Sequence, residues 1–308
     1  MKKTFYSNGK LLITGEYLVL DGANAFALPT KLGQNLIIEE GSNQEIHWKS
    51  YDADGSIWFE DTILFSEISN YITNENETVR NTLITILYQA SIQNKSFLVE
   101  NQGYSITTEL TFSRKWGLGT SSTLINNIAQ WLKIDAFDLL NTSFGGSGYD
   151  IACAQNDMPI IYRLEKGNPI VVQTTFDPDF TENIYFVYLN KKQSSKTAIA
   201  NYNTNKNHNL DRNIAQNNKI TAEVLLATTM EEFSNAIDKH EARMSIILEN
   251  NTVKELLFND FNGSIKSLGA WGGDFIMVVS KENPTNYFSS KGYETIFTFE
   301  ELILNSEL

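Results

Sequence analysis

The apolar positions of this chain change period several times, and those changes mark out its elements. Between residues 5 and 40 they come in short runs, FYSNGKLLITGEYLVL, AFALPT and QNLIIEE, with Asp21-Gly22 as a turn signal. This reads as β structure, and it continues in EIHWKSYD and SIWFEDTI. Over 78–92 (TVRNTLITILYQASI) the apolar spacing becomes helical. A strand over 104–112 then runs into a glycine turn, and a helix over 122–133 leads out of it. A second helical stretch, 135–142, and a strand over 159–164 follow. After Gly167 strands are expected at 169–174 and 184–190, and the polar, Asn-rich run 201–218 reads as a solvated loop or irregular helix. Helices over 219–227 and 230–249 come next, the second with Phe233, Ile237, Met244 and Ile247 as its apolar positions. A short helix (KELLFND), the strand-like SIKSLGAW and DFIMVVS, and a last strand and helix near 294–304 complete the chain. There is no internal repeat. The pattern predicts an α+β fold in two domains, 1–170 and 171–308.

Composition narrows the function classes. At 308 residues and 42% hydrophobic content the chain can bury a sizeable core. A net charge of −13 argues against nucleic acid or an anionic membrane as the main partner, while leaving room for a local basic pocket. Cys153 is the single cysteine, so there is no disulfide framework and no Cys-based metal site; it reads as a small buried hydrophobe. The three histidines, His47, His208 and His240, are scattered and suggest no ligand cluster. Lys2 and Lys3 precede an apolar run that could pass for a leader, but Glu16 interrupts it and no small-residue cleavage site follows. No run reaches the roughly 18 apolar residues of a membrane span. A soluble, cytoplasmic protein, monomer or homodimer, is the expectation.

Three stretches carry candidate chemistry. In Lys115-Trp116-Gly117-Leu118-Gly119-Thr120-Ser121-Ser122 two glycines stand two apart before a run of hydroxyl residues. Glycines permit positive φ and close backbone approach, and the hydroxyl run offers a helix cap with free N–H groups behind it. Such a concavity suits a phosphate; the plainer reading is an ordinary capped strand–turn–helix. In Gly9-Lys10-Leu11-Leu12-Ile13-Thr14-Gly15-Glu16-Tyr17, strand alternation would put Lys10 and Glu16 on one face, or they are simply solvated charges. Lys266-Ser267-Leu268-Gly269-Ala270-Trp271-Gly272-Gly273-Asp274 is a glycine turn before a buried strand, a common arrangement taken alone. The P-loop pattern G-x-x-x-x-G-K-[ST] does not occur.

In this order and spacing, the three stretches resemble the signature of the GHMP small-molecule kinases, the family of galactokinase, homoserine kinase, mevalonate kinase and phosphomevalonate kinase. The resemblance runs from Gly9 to about Ser280. Gly15-Glu16-Tyr17 (where mevalonate kinases have Gly-Glu-His), Lys115-Trp116-Gly117-Leu118-Gly119 and Gly272-Gly273-Asp274 look most like the phosphomevalonate kinase branch. Gly148-Tyr149-Asp150-Ile151-Ala152 also resembles a bacterial subgroup of the family. The resemblance implies an S5-like N-terminal ATP-binding domain and a ferredoxin-like C-terminal domain, with ATP and Mg²⁺ as cofactors. It implies that Lys115, Gly117, Leu118, Gly119, Thr120, Ser121 and Ser122 hold the nucleotide, with Ser121 also a Mg²⁺ ligand. Asp150 and Lys10 match the catalytic pair. Glu16, Tyr17, Ser147, Gly148, Lys196, Thr197, Gly272, Gly273 and Asp274 fall on the acceptor side. Two departures stand out: Trp271 occupies a position usually glycine, and the window near Leu139, where mevalonate kinases carry a second metal-binding glutamate, holds only Asp135 and Asp138, neither in clear register. The expected activity is phosphoryl transfer from ATP to phosphomevalonate; the alternatives are mevalonate kinase and a non-catalytic binding protein on the same scaffold.

Overall fold

The computed structural model describes residues 2–72, 78–99, 102–193, 195–204 and 209–304. Where the sequence suggests one boundary near residue 170, contacts divide the chain into two units that are each discontinuous. Unit 1 comprises 1–9, 32–114 and 118–155, and unit 2 comprises 10–31, 115–117 and 156–308. Two long strands, β1 (Lys3–Thr14) and β2 (Ala25–Glu40), run through both.

In unit 1 the later half of β2 pairs antiparallel with β5 (Tyr104–Leu110), which pairs in parallel with β3 (Glu45–Tyr51). The sheet ends at β4 (Ile57–Leu64), antiparallel to β3. The short α1 (Phe65–Ser69), then α2 (Val79–Gln93), α3 (Ser96–Val99), α4 (Thr120–Leu132), α5 (Ala136–Ser143) and α6 (Tyr149–Ala154) complete the unit. Thr78 starts α2 by accepting a hydrogen bond from the Asn81 N–H, one of the donors that a helix start leaves without an intrahelical partner. Alternate residues of the strands, such as Trp48 and Ile106, meet Leu87, Ile125, Ile128, Leu139 and Ile151 from the helices in one core.

In unit 2 the start of β2 pairs with β6 (Ile160–Glu165), and β6 with β7 (Asn168–Gln173). A separate antiparallel sheet has the order β11-β8-β10-β9, formed by β8 (Ile184–Tyr188), β9 (Ser264–Ser267), β10 (Phe275–Val279) and β11 (Ile296–Thr298). Its inner strands read IYFVY and FIMVV and are buried at every position, which is why they lack polar alternation. The unit's helices are α7 (Ser195–Thr204), α8 (Leu210–Leu226), α9 (Met230–Leu248), α10 (Val253–Leu257), α11 (Thr285–Ser290) and α12 (Phe299–Leu302).

The Asn-rich run, expected as a solvated loop or irregular helix, is mostly helix, with residues 205–208 outside the described residues. Asn213 and Asn217 in it are buried, where a solvated stretch would expose them. Asn217 Nδ2 donates to the Asn24 carbonyl (2.8 Å), the Asn24 N–H donates to Asn218 Oδ1 (2.7 Å), and Arg243 donates to Asn213 Oδ1 (2.7 Å). Buried amides with satisfied partners replace apolar packing on this face, so the hydrophobic period that would announce a helix is weak. Among the described residues no helix is long and apolar enough to cross a membrane.

Candidate active site

Strand β1 ends at Thr14 because Gly15 turns the chain with φ +92°, and a Cβ there would fall 2.7 Å from the Ala25 backbone. Lys10 and Glu16 therefore do not share a strand face, as alternation alone suggests. Lys10 stays on β1, half-buried, and its ammonium donates to the Gly117 carbonyl at 3.0 Å. Glu16 leaves the strand and is buried, its carboxylate in direct contact with the Lys266 ammonium. Tyr17 follows with φ +60°, an uncommon conformation for a non-glycine residue. Its ring stacks on Tyr202 (centroids 5.5 Å apart), and its hydroxyl accepts the Trp271 N–H (3.2 Å).

Around Gly117, unit 2 brings Lys10 and Asp274, from the stretches at 9–17 and 266–274, together with the start of the glycine loop. A recess is lined by Lys10, Trp116, Gly117, Gly269, Asp274 and Phe275 among others. Gly117 has φ +70°, and a Cβ on it would lie 2.5 Å from the Asp274 carboxylate. Asp274, itself at φ +52°, is held by its backbone: its N–H donates to Lys191 O (2.7 Å) and its carbonyl accepts the Leu189 N–H (2.8 Å). Its carboxylate accepts the Gln193 N–H (3.1 Å). Burial lifts the Asp274 carboxyl above its ordinary range, against the downward pull of that hydrogen bond and of the Lys10 and Lys192 charges. Trp116 packs against the rings of Phe297, Phe275 and Tyr188, and the Tyr188 hydroxyl donates to the Lys115 carbonyl at 3.1 Å. The tryptophan is thus part of the four-stranded sheet's packing. The Lys115 side chain is exposed.

Beyond Gly117 the loop belongs to unit 1. Leu118 is buried, so only its backbone is available to a ligand. Gly119, with φ +101°, opens the thirteen-residue α4. Thr120 and Ser121 are half-exposed in its first turn, while Ser122 is buried and donates back to the Gly119 carbonyl (3.0 Å). The first-turn N–H groups and positive helix end make this a place for an anion. Helix α4 is anchored from below by amides. Asn126 Nδ2 bonds Ser7 Oγ (2.9 Å) and the Ala154 carbonyl of α6 (3.2 Å), and Asn127 Nδ2 bonds the Gln34 carbonyl (2.9 Å). Asp150 lies half-buried in the first turn of α6, after the left-handed Gly148, and the Asn126 amide ties the last residue of that helix to α4. Asn126 and Asn127, set between the apolar Ile125 and Ile128, were the available signal for it.

On the expected acceptor side, Gly148 and Gly273 are buried, Ser147 is half-buried, and Gly272 and Thr197 are exposed. The Lys196 side chain and Ser194 lie outside the described residues. Among the described residues there is no group of three His, Cys, Asp or Glu side chains placed to hold a metal. A Mg²⁺ ion fits here as one carried mainly by nucleotide phosphates, with the half-exposed Ser121 hydroxyl as a hard oxygen donor from the chain.

No protein-family model matches the sequence, and no curated protein sequence matches it. Solved structures match over the whole length. The mevalonate kinase of Methanococcus jannaschii superposes with a TM-score of 0.73 at 16% identity, covering 99% of each chain. The phosphomevalonate kinase of Streptococcus pneumoniae, in complex with phosphomevalonate and AMPPNP, gives 0.71 at 14% identity over 96% of this chain and 99% of its own. The galactokinase of Lactococcus lactis, complexed with galactose, gives 0.72 at 12% identity over 98% and 93%. The α+β architecture expected from the sequence is the one these structures share.

Proposed function

We propose that this chain, whose fold is that of the GHMP kinases, transfers the γ-phosphoryl group of ATP to a small-molecule acceptor, with phosphomevalonate as the acceptor of choice. The observation that carries this reading is the glycine loop: two left-handed glycines lead into the start of α4, and Lys10 is bonded to the loop through the Gly117 carbonyl. Phosphoryl transfer asks the protein for positioning and charge neutralisation more than for covalent chemistry. In this reading the N–H groups at 119–122 receive nucleotide phosphate oxygens, and Lys10 adds positive charge to the transferring group. Asp150, at the start of α6, orients the attacking hydroxyl and accepts its proton. Bound Mg²⁺ would neutralise phosphate charge, with Ser121 contributing one oxygen.

The preference for an anionic acceptor rests on Lys191 and Lys192. They are exposed on the segment whose backbone bonds Asp274, beside the glycines of the third motif. Ammonium groups there suit a phosphorylated acceptor better than a neutral sugar. An ADP-release assay across phosphomevalonate, mevalonate, galactose and homoserine tests the reading: turnover should be greatest with phosphomevalonate. Asp150→Asn should reduce kcat by about 10²–10⁴-fold while ATP-analogue binding is little changed. Turnover of mevalonate alone would move the acceptor down one phosphate. Nucleotide binding without turnover of any of the four would leave a binding protein on a kinase scaffold.

A further inference from the structure

Behind the turn that carries Tyr17, unit 2 buries four ionisable side chains. Lys266 on β9 is fully buried, and Glu16, His240 and Glu241 are each at most 3% exposed. They come from three distant parts of the chain, with 250 positions between Glu16 and Lys266. The cluster holds two carboxyl groups against one ammonium. If both were ionised, a buried negative charge would be left unbalanced, which is costly unless a proton neutralises it.

Hydrogen bonding indicates which carboxyl takes that proton. Glu241 has both oxygens served: Ser267 donates its hydroxyl to Oε1 (2.7 Å) and its N–H to Oε2 (3.1 Å), with the Lys266 ammonium 3.8 Å away. These donors favour its ionised form, paired with Lys266. Glu16 Oε1 accepts from Lys266, while Oε2 is buried with no hydrogen-bond donor among the described residues. It faces His240 Nε2 at 3.4 Å. That nitrogen accepts the Gly15 N–H at 3.2 Å, so it carries no hydrogen in this arrangement; a second donor there shares its one lone pair with Gly15, and the ring hydrogen lies on the buried Nδ1, which has no partner among the described residues. Asn217 Oδ1, also 3.2 Å from Nε2, is the one neighbour that would prefer an N–H there; an Nε2–H would instead oppose the Gly15 N–H.

We propose that Glu16 is a neutral carboxylic acid that donates to His240, and that with Lys266 it positions the turn at 15–17 from behind. The carbonyl oxygen of the acid takes the Lys266 N–H, its hydroxyl supplies the missing donor to Nε2, and Lys266 then balances Glu241. Titration behaviour agrees. Burial pushes the Glu16 carboxyl from 4.5 up to about 7, overcoming the pull of Lys266, and burial with the Lys266 charge holds His240 neutral, well below its usual 6.5. Glu241 is also raised, by burial first and with Asp238 behind it adding to the shift. The inference concerns the chain's interior and is independent of the kinase reading.

The two shifts have opposite linkage. A raised carboxyl makes the folded state bind more protons between about pH 4.5 and 7, so its contribution to stability falls as pH rises through that window. A neutral imidazole makes the folded state bind fewer protons below 6.5, so its contribution rises with pH up to that point. Between about pH 5 and 6.5 folding moves one proton from imidazole to carboxyl, and the two slopes cancel in the wild-type protein. Urea unfolding across that range should show Glu16→Gln becoming more stable with rising pH, and His240→Asn less stable, relative to wild type. Equal slopes in both variants would overturn the proposal. Infrared spectroscopy on wild-type protein with ¹³C-labelled glutamate gives a second readout that needs no stability measurement. A protonated glutamic acid C=O band at about pH 6, lost above about pH 8 and missing in Glu16→Gln, is expected; no such band, or one that survives the substitution, would refute it.

Discussion

Gly117 offers a direct measure of how tightly the glycine loop is held against the third motif. In Gly117→Ala the new methyl meets two obstacles. The residue sits at φ +70°, a left-handed conformation that costs an L-residue about 1–2 kcal/mol. The Cβ would also lie 2.5 Å from both Cγ and Oδ2 of Asp274, well inside contact distance. Asp274 cannot simply rotate away, because its backbone is bonded on both sides to the segment at 189–191 and its carboxylate to the Gln193 N–H. Overpacking of this kind costs about 1–3 kcal/mol, so the total loss should be roughly 2–5 kcal/mol. The two parts can be separated. Removing the carboxylate in Gly117→Ala/Asp274→Ala should relieve the contact while leaving the φ strain, giving a coupling of about 1–3 kcal/mol in a double-mutant cycle. Urea unfolding followed by circular dichroism provides the four stabilities, and titration with an ATP analogue shows whether the loop still accepts a nucleotide. Additivity of the two single substitutions to within about 0.5 kcal/mol would mean that Asp274 does not stand against the loop.

Gly119→Val should abolish ATP-analogue binding in calorimetry while the far-ultraviolet spectrum stays native, since a β-branched residue cannot hold φ +101° at the start of α4. Asn217→Ala, which leaves the buried Asn24 carbonyl without its 2.8 Å donor, should lower the unfolding free energy by about 1–3 kcal/mol by urea titration. Asp274→Asn should gain in melting temperature relative to wild type as pH rises from about 4 towards neutrality. A carboxyl raised by burial contributes stability at low pH and loses it as it ionises, whereas the amide does not titrate.

The sequence was most legible where one physical demand dominates. Apolar period located α2 to within a residue, and the buried runs of β8 and β10 announced themselves as continuous apolar stretches. The glycines of the loop were readable because only glycine tolerates their backbone angles at little cost. What escaped was carried by polar groups in the interior. Asn213 and Asn217 made α8 look like a loop, though each bonds a specific partner across the unit. His240 keeps helical phase with Phe233, Ile237 and Met244, so its burial was visible, but its neighbours Glu16 and Lys266 come from elsewhere in the chain. Likewise, alternation put Lys10 and Glu16 on one face until Gly15 turned the chain between them. Periodicity reports which side of an element is inside, and it carries no information about which distant charges meet there.

The interleaving of the two units has a temporal meaning during synthesis. Residues 10–31 are made well before the rest of their unit, which is not complete until the segments around Lys266 and Asp274 have followed. For most of translation Glu16 has neither its ammonium nor its imidazole, and the apolar residues Leu18 and Val19 beside it lack their burial. Unit 1 lies within residues 1–155 and can be complete first, but residues 10–31 must wait for the segments around Lys266 and Asp274 before their own unit can close. Truncation after residue 155 should therefore leave residues 10–31 without their packing partners even though unit 1 keeps all of its segments.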